Sequence, residues 1–132
     1  MNNPRVFIGS SSESIEIARA IQSNLSSDCD IKVWDQKGIF ELSESPLDSL
    51  QKCLSKFHFA IFVLTPDDEI TIRGKFGKTP RNNVIFELGL FLGALGRNKV
   101  FIICPEEKDN NIFYPSKFLV SPQQKNLWIN KN

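Results

Sequence analysis

The run Phe59-Ala60-Ile61-Phe62-Val63-Leu64, followed directly by Thr65-Pro66-Asp67-Asp68, decides the fold. An unbroken apolar run leaves no polar face for a half-exposed strand, so it reads as a central parallel strand covered on both sides. Pro66 closes the run and leaves two carboxylates at its C-terminal end. Upstream, Arg5-Val6-Phe7-Ile8 is another strand, halted by Gly9 and the serines Ser10, Ser11 and Ser12. Ser10 and Glu13 have capping-box spacing, and Ile17, Ile21 and Leu25 recur on one helix face. Ile31-Lys32-Val33 gives a strand ending near Trp34, and residues 35–45, with Gly38 and no period, read as a mobile loop. Pro46 opens a helix whose buried stripe is Leu47, Leu50, Leu54 and Phe57. Downstream, residues 69–78 are basic, with Arg73, Lys75 and Lys78 beside Gly74 and Gly77, and read as a loop. Thr79-Pro80 then caps and starts a helix that is apolar almost all round and stops at Gly96. Val100 to Cys104 is a further strand, and Tyr114-Pro115-Ser116 opens a short helix. In the tail, residues 120–132, Leu127, Trp128 and Ile129 are the apolar cluster.

Strands that alternate with helices imply an α/β, flavodoxin-like fold: a central parallel sheet of four to five strands with helices on both faces. In such sheets ligands gather beyond the C-terminal strand ends, where the strand order reverses. That rim would carry residues 9–12, Trp34 onward, residues 65–68 and the start of the helix that holds Glu87.

A length of 132 residues fits one domain, here 1–132, and a composition 41% hydrophobic and 23% charged is that of a folded globular chain. A net charge of +1 gives little general attraction to nucleic acid or anionic lipid. No apolar run approaches the ~20 residues of a membrane helix, and the start has no signal-peptide character, so the expected location is cytoplasmic. Cys29, Cys53 and Cys104 make no paired spacing and read as reduced core thiols, with no metal site indicated.

Glu87 is the ionisable residue between Arg81 and Arg97 in an otherwise apolar helix. It lies beyond the first turn, where the helix dipole would favour it, so it either faces a pocket or is paired with Arg81 or Arg97. Gly9, Ser10 and Ser11 offer backbone N–H groups and hydroxyls to a phosphate or ribose, or simply cap a helix. Asp67 and Asp68 bind hydroxyls or a metal, or are ordinary turn residues after Pro66. His58 precedes a core strand and reads as structural, which leaves histidine-based triads without a base. Neither a Walker loop nor a G-x-G-x-x-G fingerprint is present.

Three blocks, Val6-Phe-Ile-Gly-Ser-Ser-Ser-Glu13, the 59–68 segment and Pro80-Arg-Asn-Asn-Val-Ile-Phe-Glu-Leu-Gly-Leu-Phe-Leu-Gly-Ala-Leu-Gly96, together resemble the bacterial TIR-like domains of antiphage effectors. These are the TIR domains of CBASS and Pycsar systems, TIR-STING fusions included. The resemblance runs over residues 5–119 in order, and the tail departs from it. It implies NAD+ hydrolysis with Glu87 as the catalytic carboxylate, NAD+ being substrate and no separate cofactor being required. By the same resemblance Arg81 and Asn82 position the pocket or the dinucleotide, and Ser10 and Ser11 lie on the nicotinamide-ribose side, with Gly9 and Asp67 counted in the same binding set. The 35–45 loop would gate the pocket and meet a neighbouring protomer, with Phe40 as an aromatic contact. Activation would follow self-association driven by a cyclic-nucleotide-sensing domain or partner outside this chain. Two rival readings are a nucleoside deoxyribosyltransferase, with Asp67 or Asp68 as the acid that protonates the base, and a non-enzymatic TIR interaction module in which Glu87 is structural.

Overall fold

Short strands of bulky apolar residues fit together when the central ones, Arg5–Gly9 and Phe59–Val63, bury both their faces. The computed structural model, which describes residues 3–35, 48, 52, 54–105, 128 and 129, shows how. Its elements are β1 (Arg5–Gly9), α1 (Ile15–Leu25), β2 (Asp30–Val33), β3 (Phe59–Val63), β4 (Asp68–Ile72), β5 (Lys75–Thr79), α2 (Asn82–Leu95), β6 (Val100–Pro105) and β7 (Trp128–Ile129). Five of the strands form one parallel sheet in the order β2-β1-β3-β6-β7. From β1 the chain steps outward to β2 and then crosses back to β3, so the order reverses between β1 and β3 and opens a crevice at their C-terminal ends.

The period-two alternation of strand side chains divides the core into two layers. Val6, Ile8, Ile61 and Val63 join Ala18 of α1 on one face. Phe7, Ala60, Phe62 and Leu64 join Val84, Leu88 and Phe91 of α2 on the other. Phe91 stacks on Phe7 with ring centroids 4.6 Å apart and meets Phe62 edge-on at 5.5 Å. Such pairs add about 0.5–1.5 kcal/mol each beyond the area they bury. The same aromatic layer fixes Gly9, because a Cβ there would lie 2.6 Å from Phe62 Cε1. Glycine is therefore required where β1 reaches the crevice.

Three local expectations change. The basic stretch at residues 69–78 is a hairpin, β4 paired antiparallel with β5 from Asp68↔Thr79 to Ile72↔Lys75. Its turn places Arg73 at φ 51° and Gly74 at φ 80°, the positive φ at both central positions that tight hairpins demand. The sequence hid it because the hairpin adds no apolar residue to either core layer; Ile72 and Phe76 stay exposed. The Glu87 helix starts at Asn82 with Arg81 as its N-cap, since Thr79 still pairs within β5. The Ser10–Glu13 capping box does not form; a 3₁₀ turn at Ser12–Ser14 precedes α1 instead, and neither turn nor helix has a side-chain cap.

Asp48, Lys52 and Leu54 of the helix expected after Pro46 are helical. The rest of that helix, the loop beyond Asp35 with Phe40, and the Tyr114 segment lie outside the described residues. The tail's Trp128–Ile129 pairs parallel to β6 and extends the sheet by a fifth strand. No helix among the described residues is long and apolar enough to cross a membrane.

Candidate active site at the β1/β3 crevice

The turn after β1 and the segment after β3 face each other across the crevice, and polar side chains stitch them together. Ser11 Oγ donates to Asp67 Oδ2 at 2.5 Å, and Thr65 Oγ1 donates to the same oxygen at 2.5 Å. Ser11 Oγ also lies 3.0 Å from Ser14 Oγ. Ser10 Oγ donates to the Ser11 carbonyl at 3.0 Å and accepts from Trp34 Nε1 at 2.8 Å, which ties in the end of β2. Ser10, Ser11, Ser14 and Thr65 are all buried. Burial of so many hydroxyls is tolerable only because each finds a partner.

Arg81 closes the third side. Its Nη2 donates to Glu13 Oε1 at 2.5 Å, and its Nε lies 3.3 Å from Asp68 Oδ1. The Nε is buried without an aligned hydrogen bond, so the Asp68 contact is charge attraction rather than a directed bond. These two carboxylates hold the N-terminus of α2 at the rim, with Asn82 exposed as the first helical residue.

Glu87 follows in the second turn, about 7 Å along the axis from Asn82. Val84, Leu88 and Phe91 form the buried stripe of α2, and Glu87 flanks that stripe, rotated by about 60° from Val84. It is half-buried, and burial alone pushes its carboxyl up from 4.5 to about 7. Among the described residues no hydrogen bond or ion pair holds it. Arg81, a possible partner on sequence grounds, is engaged by Glu13 and Asp68.

The predicted residues thus fall into two groups. Gly9, Ser10, Ser11, Asp67 and Arg81 converge on one rim, and Glu87 stands on the helix that begins there. Phe40 lies outside the described residues. His58 is at the opposite end of the sheet, where its Nδ1 accepts from the Arg5 backbone N–H at 3.0 Å. Asp67 and Asp68 turn to different partners and do not converge on a common point. Sequence reading placed Thr65 and Trp34 on this rim without a bonding role, and missed Glu13 as the partner of Arg81; the available signal for Glu13 was its position just beyond a strand end that the topology gathers there.

Comparison with known proteins identifies the family of the fold. Residues 5–118 match the family model described as CAP12/Pycsar effector protein, TIR domain. The chain is 46% identical over 112 residues to the Pycsar effector protein PaPycTIR of Pseudomonas aeruginosa, a match covering 84% of this chain and 35% of that protein. It is 50% identical over 99 residues to CD-NTase-associated protein 12 of Flavobacterium daejeonense, covering 75% of this chain and 32% of the relative. With the Pycsar effector protein BcPycTIR of Burkholderia cepacia it shares 38% identity over 102 residues, 76% of this chain and 33% of the other. The chain spans about a third of the length of the curated relatives it matches.

Proposed function

Because the chain belongs to the TIR domain family of CAP12/Pycsar effector proteins, we propose that it is an NAD+ hydrolase domain of an antiphage effector, with Glu87 as the catalytic carboxylate. The observation that carries this reading is the state of Glu87: half-buried in an apolar helix, raised to about 7 by burial, with no partner among the described residues. An unpaired buried carboxyl costs stability, and such groups concentrate where chemistry needs them.

Nicotinamide leaves NAD+ as a neutral molecule. The bond from ribose C1′ to the pyridinium nitrogen breaks with its electron pair going to the nitrogen, and no proton has to be supplied. One carboxylate then suffices, whereas common glycosidases need a second to protonate the departing oxygen. Positive charge grows on the ribose as the bond lengthens, and the Glu87 anion in its apolar setting offsets that charge more strongly than it would in water. Water then attacks C1′ and loses a proton to give ADP-ribose. The deoxyribosyltransferase reading requires an acid to protonate a departing base. Asp67 Oδ2 already accepts two hydroxyl protons and Asp68 lies against a guanidinium, so neither is placed as a donor.

The names of these relatives place them among Pycsar effectors and CD-NTase-associated proteins. By extension, clustering of this domain by a cyclic-nucleotide sensor is the proposed trigger. In the test, artificially clustered protein is incubated with NAD+ and free nicotinamide is measured. Wild type should release it and Glu87→Ala should not; equal behaviour of the two would refute the assignment.

A further inference from the structure

The hydroxyl protons at the crevice are committed inside the protein. A serine or threonine hydroxyl has one proton to give. Ser11 and Thr65 both spend theirs on Asp67 Oδ2, and Ser10 spends its own on the Ser11 carbonyl. With the Ser11 proton used, the 3.0 Å contact to Ser14 makes Ser14 the donor. Ser11 follows β1, while Thr65 and Asp67 follow β3, and these neighbouring strands are the pair whose ends define the crevice. One carboxylate oxygen therefore takes two charge-assisted bonds, the stronger class of hydrogen bond: the one from Ser11 links the two walls, and the one from Thr65 anchors the carboxylate to its own strand exit. The next residue, Asp68, turns the other way to Arg81, so the adjacent acids divide the work: one joins strand end to strand end, the other joins strand end to helix.

We propose that Asp67 is a positioning residue for the NAD+ cleavage put forward above: it does not touch the dinucleotide, but through Ser11 and Thr65 it fixes the turn at residues 10–14 against the β3 exit and so sets the width of the crevice. This rests on the NAD+ hydrolase reading. It also transfers the hydrogen bonding of substrate at this rim from the serine hydroxyls to the backbone N–H groups of the turn and to Asn82 at the start of α2. Misplacement of a bound substrate by as little as an ångström is enough to slow a reaction heavily, so a wall linkage of this kind is felt in binding and rate.

The test is a double-mutant cycle on clustered protein, reading KM and kcat for nicotinamide release, with NAD+ binding measured separately on a Glu87→Gln background. Asp67→Ala and Ser11→Ala should each raise KM about tenfold, the order of one charge-assisted hydrogen bond. The double variant should be no worse than the poorer single one, because both changes cut the same link. Asp67→Asn, which keeps an acceptor oxygen, should fall between wild type and Asp67→Ala and guards against a misfolded alanine variant. Thr65→Val should raise KM and Thr65→Ser should restore it. A purely structural role would lower kcat with the folded fraction and leave KM in place, and direct contact with substrate would make the losses multiply. Either pattern overturns the proposal while NAD+ hydrolysis by wild type stands. Failure of wild type to bind or cleave NAD+ would instead remove the hydrolase reading, and this proposal with it.

Discussion

The crevice rim and the second turn of α2 handle buried polarity in opposite ways. At the rim, Asp67 takes two hydroxyl protons and its serine neighbours pass their bonds inward. One turn into α2, Glu87 sits beside Leu88 and Phe91 with burial alone acting on its carboxyl, which rises to about 7. A fold selected only for stability would have paired that group or replaced it, as this one pairs the acids at the rim. The difference teaches that rim carboxylates hold the architecture, whereas Glu87 is held by it.

The comparison breaks first at Glu87. Its folded value of about 7 stands above the ordinary 4.5. Between those values the folded chain keeps a proton that the unfolded chain has released, so stability is full below about 4.5 and falls as pH rises through about 7. The loss is on the order of 3 kcal/mol. Urea unfolding from pH 4 to 8 should show that slope in wild type and not in Glu87→Gln, which should be at least as stable at neutral pH. Removing Asp67 should do the reverse. Asp67→Ala leaves buried hydroxyls without their acceptor and should cost about 1–3 kcal/mol in the same measurement. The smallest effect belongs to the exposed acid. Glu13→Gln cuts a partly exposed ion pair with Arg81 and should cost under about 1 kcal/mol, a loss that shrinks further in high salt.

Much of this arrangement was legible in the sequence, for reasons visible in particular residues. The 59–64 run could only be a strand covered twice, and in the structure its alternate residues do enter the two core layers. The isolation of Glu87 in an apolar helix was visible because charge is rare at such positions. The hairpin was not legible. β4 and β5 add no apolar residue to either core layer, so no apolar alternation marks them, and a turn with Arg73 at positive φ departs from the usual Asn-Gly signal. The hydroxyl network was also out of reach, since Ser11 and Asp67 are 56 positions apart and only the strand order brings them together. The start of α2 was misplaced by two residues because Pro80 is a good first helical residue, yet β5 pairing holds the chain extended through Thr79.

The proposed role of Glu87 is that of an ionised, unpaired carboxylate at the cleavage point. Its most direct test is nicotinamide release by the clustered domain from pH 5 to 9, alongside a ¹³C NMR titration of the Glu87 side-chain carboxyl. Both curves should inflect near 7, with the rate rising as the carboxyl loses its proton. A carboxyl that titrates near 4.5, or a rate indifferent to pH across 7, would contradict the account.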